Sequence, residues 1–141
     1  MADITGYWEF HRACPAEQMT IGLVGDTGAL LESTITPLGS TDSTPINGNY
    51  DASTNAISFN DARQPGEILF VSFYTGYVML TEEGSPCAMA GTYQEAELIF
   101  RESSINQNLD IAAAGPGLTI ASPTIYAAWY AVWQGPINII Q

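Results

Sequence analysis

Residues 67–81 read EILFVSFYTGYVMLT, and the reading of this stretch decides the fold. It is dense in β-branched and aromatic residues, which suit a pleated, half-buried surface. The turn residues Thr81, Glu82, Glu83, Gly84, Ser85 and Pro86 end it. It predicts one long strand, and a strand this apolar needs partners on both sides.

Working outward, the rest of the chain is built from shorter runs of the same kind, punctuated by Gly, Pro, Asn and Asp. Ile4 to Phe10 alternates, with Ile4, Trp8 and Phe10 on one face. Met19 to Val24 and Ala29 to Thr36 flank the turn Gly25-Asp26-Thr27-Gly28. Pro37 to Pro45 is a polar loop. Ile46 to Asp51 and Ala56 to Asn60 form a hairpin. Beyond the long strand come Cys87 to Tyr93, Ala96 to Arg101, Ile125 to Trp133 and Ile137 to Ile140. Ser103 to Pro123 has room for some helix, but Gly115-Pro116-Gly117 blocks a long one. About eight strands with no 12-residue amphipathic helix predict an all-β fold. The expected form is a single domain over residues 1–141, an eight-stranded antiparallel up-and-down barrel of avidin-like or lipocalin-like kind.

The long strand is apolar on both faces. Leu69, Val71, Phe73, Tyr77 and Met79 stand on one, and Ile68, Phe70, Tyr74, Val78 and Leu80 on the other. Near the C-terminus, Trp129 and Trp133 oppose Tyr126, Tyr130 and Val132. An outer barrel wall in water is normally polar. The pattern therefore predicts a homodimer or homotetramer in which further copies cover the outer face.

Composition narrows the function. Fifteen acids face three arginines and no lysine, a net charge of −12. Such a chain repels phosphate backbones and anionic membrane surfaces, so neither nucleic acid nor membrane is an expected partner. The charge keeps soluble a chain that is 46% apolar and only 13% charged. No signal peptide is visible at Met1-Ala2-Asp3. Cys14 and Cys87 have no CxxC or CxxH spacing, so no metal is expected. A disulfide requires their Cα atoms within roughly 7 Å; in a reducing, cytosolic setting two buried free thiols are the expectation instead.

A string of short blocks resembles the avidin and streptavidin family. Ile4-Thr5-Gly6-Tyr7-Trp8 is similar to its Gly-x-Trp opening, Gly28-Ala29-Leu30 to its third strand, and Gly48-Asn49-Tyr50 and Gly91-Thr92-Tyr93 to two Gly-x-Tyr strands. Trp129-Tyr130-Ala131 with Gly135 is similar to its last strand. The blocks are collinear and span most of the chain, although the Gly-x-Trp opening also occurs in lipocalins and other calycin-like barrels. The resemblance implies a barrel holding a small, apolar-bodied ligand at its open end, with Trp8 plugging the floor. The family's ligand is biotin, held by polar side chains and boxed by tryptophans.

The positions that resemblance assigns to the ligand are Phe10, Cys14, Thr34, Thr36, Phe73, Ser85, Met89 and Trp129. They depart from the family pattern. Phe10 replaces an Asn, Cys14 a Ser, Thr34 a Tyr, and Phe73 and Met89 two tryptophans. Ile137 stands where the family has an Asp or Asn. Thr36 keeps a hydroxyl, Ser85 matches a ligand-facing Ser, and Trp129 survives. A ureido group left without partners costs several kcal/mol to bury, so tight biotin binding is not expected.

No nucleotide-binding loop, HExxH or GxSxG occurs. His11 alternates with Phe10 and is expected outside. Glu95 and Glu97 share a face and are expected in solvent. The leading expectation is a non-catalytic small-molecule binding protein without a cofactor. The alternatives are a cyclase or isomerase working by substrate positioning and an oligomer with a filled barrel.

Overall fold

The computed structural model describes residues 3–63, 68–100, 118–120 and 125–137. Among these the chain is all β, with no helix. The strands are β1 (Gly6–His11), β2 (Glu17–Ile21), β3 (Leu23–Val24), β4 (Ala29–Leu31), β5 (Thr34–Pro37) and β6 (Thr44–Pro45). They continue with β7 (Asn47–Asp51), β8 (Ala56–Arg63), β9 (Ile68–Leu80), β10 (Pro86–Phe100), β11 (Leu118–Ile120) and β12 (Ile125–Gly135). All pair antiparallel in one curled sheet, in the order β3-β4-β7-β8-β9-β10-β12-β1-β2-β5-β6, with β11 attached to β10 alone.

Eleven strands on that path replace the eight expected, and the reason is local. The segments 17–24, 29–37 and 44–51 each break once, at Gly22, at Glu32-Ser33 and at Ile46. The breaks are linked. The Ser33 hydroxyl accepts the Gly22 N–H (3.2 Å) and donates to the Leu31 carbonyl (2.9 Å), while the Ser33 carbonyl accepts the Ile46 N–H (3.0 Å). Glu32 takes φ 51°, and a Cβ on Gly22 would lie 2.2 Å from the Glu32 carbonyl oxygen. Three adjacent strands thus bend at one level, and one serine serves all three.

Alternation places the apolar core. Trp8, Phe10, Met19, Ile35, Tyr74 and Met89 are among the side chains buried inside, and Trp129 and Ala131 join them. Phe10, Phe59, Tyr74 and Trp129 meet ring to ring at 4.7–6.1 Å, separations typical of favourable aromatic pairs. Trp129 reaches deep because Gly76 and Gly91 face each other across β9 and β10 with no side chains. Its indole N–H donates to the carbonyls of Thr75 (3.2 Å) and Thr92 (3.1 Å).

One end of the sheet, the floor, holds Ile4 and the turns at 25–28 and 51–55; the other, the mouth, holds Arg12, Glu17 and Arg63. At the floor Trp8 is fully buried, donates to the Ile4 carbonyl (3.1 Å) and packs edge-on against Trp133.

Several expectations need correction. The segments 87–93 and 96–101 form one strand, β10, because Glu95 points inward to partners instead of marking a break. Cys14 and Cys87 are free but exposed, each at or beside a turn. Most of the Ser103–Pro123 reading lies outside the described residues, as does Ile137–Ile140 after its first residue. Among the described residues, no helix is long and apolar enough to cross a membrane.

Candidate functional site

The mouth gathers charges from four elements and a serine hydroxyl from a fifth. β1 runs out into Arg12, and β2 begins at Glu17. On β8, Asp61 and Arg63 continue the inward row of Ile57 and Phe59; on β9 and β10, Ser72 and Glu95 take inward positions level with Asp61.

The Arg12 side chain is only 8% exposed. Its Nε and Nη2 donate to the two Glu17 oxygens (2.7 and 3.2 Å), a bidentate pair. Its Nη1 donates to Asp61 Oδ2 (3.2 Å) and to the Tyr74 hydroxyl. The guanidinium lies 5.6 Å from the Phe10 ring centre and 5.9 Å from that of Tyr74, within cation–π range. Burial opposes the charge on Arg12, but the Glu17 hydrogen bond, Tyr74 and Asp61 outweigh it and raise its pKa.

Beside this lies a second pair. Arg63 Nη2 donates to Glu95 Oε2 (2.7 Å), which also accepts from the Ser72 hydroxyl (3.1 Å). Arg63 Nε stands 4.0 Å from Asp61 Oδ2, too far for a hydrogen bond. The Asp61 side chain is wholly buried. Among the described residues, its Oδ1 and Arg63 Nε are the buried side-chain atoms without partners. Burial lifts the Asp61 carboxyl above the ordinary range, against the pull of Arg12 and Arg63. Burial likewise pushes the Tyr74 phenol up to about 12.

A cleft of about 750 Å³ opens at the Arg63–Glu95 pair, lined by residues 42–45, Ala62, Arg63, Phe70 and Glu95. A larger concavity, about 1420 Å³, lies toward the floor and takes in outward positions such as Ser58, Thr75, Tyr77 and Thr92. Its acids, Asp3, Asp26 and Asp51, are all exposed. Arg63 and Glu95 belong both to the lining of the smaller cleft and to the polar network that reaches the buried Asp61, Arg12 and Tyr74, and that is the candidate site.

The positions expected to bind ligand do not converge. Phe10, Met89 and Trp129 are buried together, Phe10 and Met89 both pairing with Ala131 across the sheet. Phe73 is 51% exposed on the outer face, because Tyr74 takes the inward position on β9. Thr34 and Thr36 flank the buried Ile35, and the Thr36 hydroxyl pairs with that of Ser43 (2.6 Å). Cys14 is exposed beside the mouth, and Ser85 is exposed in the floor turn between β9 and β10. His11 stacks on Tyr130 at 4.3 Å, on the outer side as expected. Glu95, expected in solvent, faces in.

Arg12, Asp61, Arg63, Ser72 and Glu95 escaped the sequence reading as a site. Alternation from Ile57 and Phe59 to Asp61, and from Met89 to Glu95, was the signal that could have found two of them. No protein-family model matches the chain, and no curated protein sequence does.

Proposed function

We propose that this protein binds a small molecule at the mouth of a closed eight-stranded barrel. Closure is supported by the pairing registers once β2 with β3, β4 with β5, and β6 with β7 are each counted as one bent strand. Every strand then has a neighbour on both sides. The ligand's apolar body occupies the cleft, whose volume suits a small ligand, and its polar group meets Asp61, Arg63 and Glu95. The observation that carries this reading is Asp61, wholly buried with Oδ1 unpaired, its other oxygen 4.0 Å from Arg63 of the cleft lining. A buried polar atom without a partner costs about 1–3 kcal/mol, which a ligand offsets. Native mass spectrometry of protein from its source tests this. A retained small molecule is expected; consistently bare protein defeats the reading.

The resemblance to avidins does not extend to biotin. Titration calorimetry is expected to show no biotin binding tighter than micromolar, because Phe10, Cys14 and Thr34 offer no matching set of polar partners.

A second reading has one observation in its favour. Burial raises both the Asp61 carboxyl and the Tyr74 phenol, which share Arg12 Nη1 as donor, and perturbed groups of this kind serve as acids or bases in a cyclase or isomerase acting on an apolar substrate. Chromatography of the retained molecule after incubation separates the readings, since isomerisation changes retention without changing mass.

The outer face is proposed to meet a second copy. Phe73, Tyr77, Met79, Tyr130 and Val132 are exposed on β9 and β12, each forgoing on the order of 1 kcal/mol, about half of what complete burial gives. The described outward positions of β9, β10 and β12 carry no charge, so two copies of a strongly acidic chain meet there without facing carboxylates, while a basic partner finds none to grip. Sedimentation equilibrium is expected to give a dimer or tetramer, shifted toward monomer by Tyr130→Glu; a wild-type monomer defeats this.

A further inference from the structure

The charge census at the mouth says more about the ligand than the shape of the cleft does. Asp42 and Glu95 line it; Asp61 stands 4.0 Å from the lining Arg63, and Asp61 and Glu17 both hold Arg12. Against these four carboxylates stand two guanidiniums, Arg12 and Arg63, among the described residues. Arg12 is fully engaged: its Nε, Nη1 and Nη2 all donate to Glu17, Asp61 or Tyr74, and its face lies over aromatic rings. It marks what this mouth favours, a flat or compact cation held by carboxylates on one side and π-faces on the other. Arg63 answers less completely. It holds Glu95 and lies 6.0 Å from the Phe70 ring centre, but leaves Asp61 Oδ1 with nothing.

Building on the mouth-binding reading above, we propose that the ligand is an organic cation, an amine or guanidine with an apolar body, whose N–H donates to Asp61 Oδ1. Its body lies against Phe70 and Pro45 in the cleft. The charged head enters beside Asp61, where Arg63 Nε stands off at 4.0 Å. A neutral head would supply a hydrogen bond without correcting the excess of carboxylates, and an anionic head would increase it.

The test is titration calorimetry of the whole protein with three probes of one shape: benzylammonium, benzyl alcohol and benzoate. Benzylammonium is expected to bind at least tenfold more tightly than benzyl alcohol, with no detectable benzoate binding. Asp61→Asn is expected to bring cation and alcohol within about twofold of each other. Should that variant not fold, Glu95→Gln, altering a partly exposed side chain, is expected to narrow the preference at least threefold. Equal or tighter binding of the alcohol or benzoate by the wild type overturns the cation assignment and leaves the mouth-binding reading standing. Binding of none of the three overturns both.

Discussion

The two ends of the sheet are closed by different chemistry. At the floor, the polar side chains that reach inward are neutral and satisfied, and the acids Asp3, Asp26 and Asp51 stay exposed. Trp8 donates to Ile4, the Tyr50 hydroxyl donates to Asn55 Oδ1 (2.7 Å), and the Asn55 carbonyl accepts the Val78 N–H (2.8 Å). Asn55 itself takes φ 65°, a conformation asparagine tolerates better than most residues. At the mouth, Arg12, Glu17, Asp61, Arg63 and Glu95 crowd together, and two buried atoms are left over. Neutral hydrogen bonds and rings suffice to stop one end of the sheet. Charges that are costly to bury are a poor way to do the same job, and their burial at the other end is what the proposed binding site rests on.

If that contrast holds, the largest stability effect comes from the mouth. Arg12→Ala strands Asp61 without its main counter-charge and is expected to destabilise by about 3–5 kcal/mol in urea unfolding. Adding Asp61→Leu to it is expected to recover most of the loss. A double variant no more stable than the single one breaks the claim that charge, rather than packing, dominates there.

Proton linkage sharpens the same contrast. Tyr74 has its folded-state pKa raised from 10.0 to about 12. Its contribution is complete below pH 10 and is lost as the pH climbs through 12, because the unfolded chain ionises first. Wild type should lose roughly 2–3 kcal/mol relative to Tyr74→Phe across that window. Asp61, also raised, behaves alike at acid pH: stability present below the ordinary value of 3.8 is lost as the pH rises above it. Asp61→Asn is expected to flatten that slope; an unchanged slope places the effect elsewhere.

The smallest effect belongs to the floor. Tyr50→Phe removes one neutral hydrogen bond and is expected to cost about 0.5–1.5 kcal/mol by thermal unfolding. A loss as large as that of Arg12→Ala erases the distinction between the ends.

The alternation of Ile4, Trp8 and Phe10, the hairpin around 52–55 and the long strand were legible from the residues, since period-2 burial is a local property. The bends at Gly22, Ser33 and Ile46 were not, because Ser33 acts across strands that meet only after folding. The mouth was hidden for the same reason. Arg12 and Asp61 are 49 residues apart and Arg63 and Glu95 are 32, and each alone looks like an ordinary solvated charge. The choice between Phe73 and Tyr74 as the inward aromatic was open while both faces of the long strand were apolar. Tyr74 takes it, with its hydroxyl reaching Arg12.

Trp129 has a consequence in optical terms. Trp8 and Trp133 face each other at the floor, 5.0 Å between ring centres. Trp129 lies apart from them, its indole N–H locked onto two backbone carbonyls and its ring 5.8 Å from Phe10, over which Arg12 sits. An event at the mouth that shifts Arg12 reaches this fluorophore through one intervening ring, while the other two sit at the far end. The chain thus carries one emitting ring linked through Phe10 to Arg12 and two set nearer the floor, so the proposed binding at the mouth is expected to alter the emission of Trp129 more than that of Trp8 and Trp133.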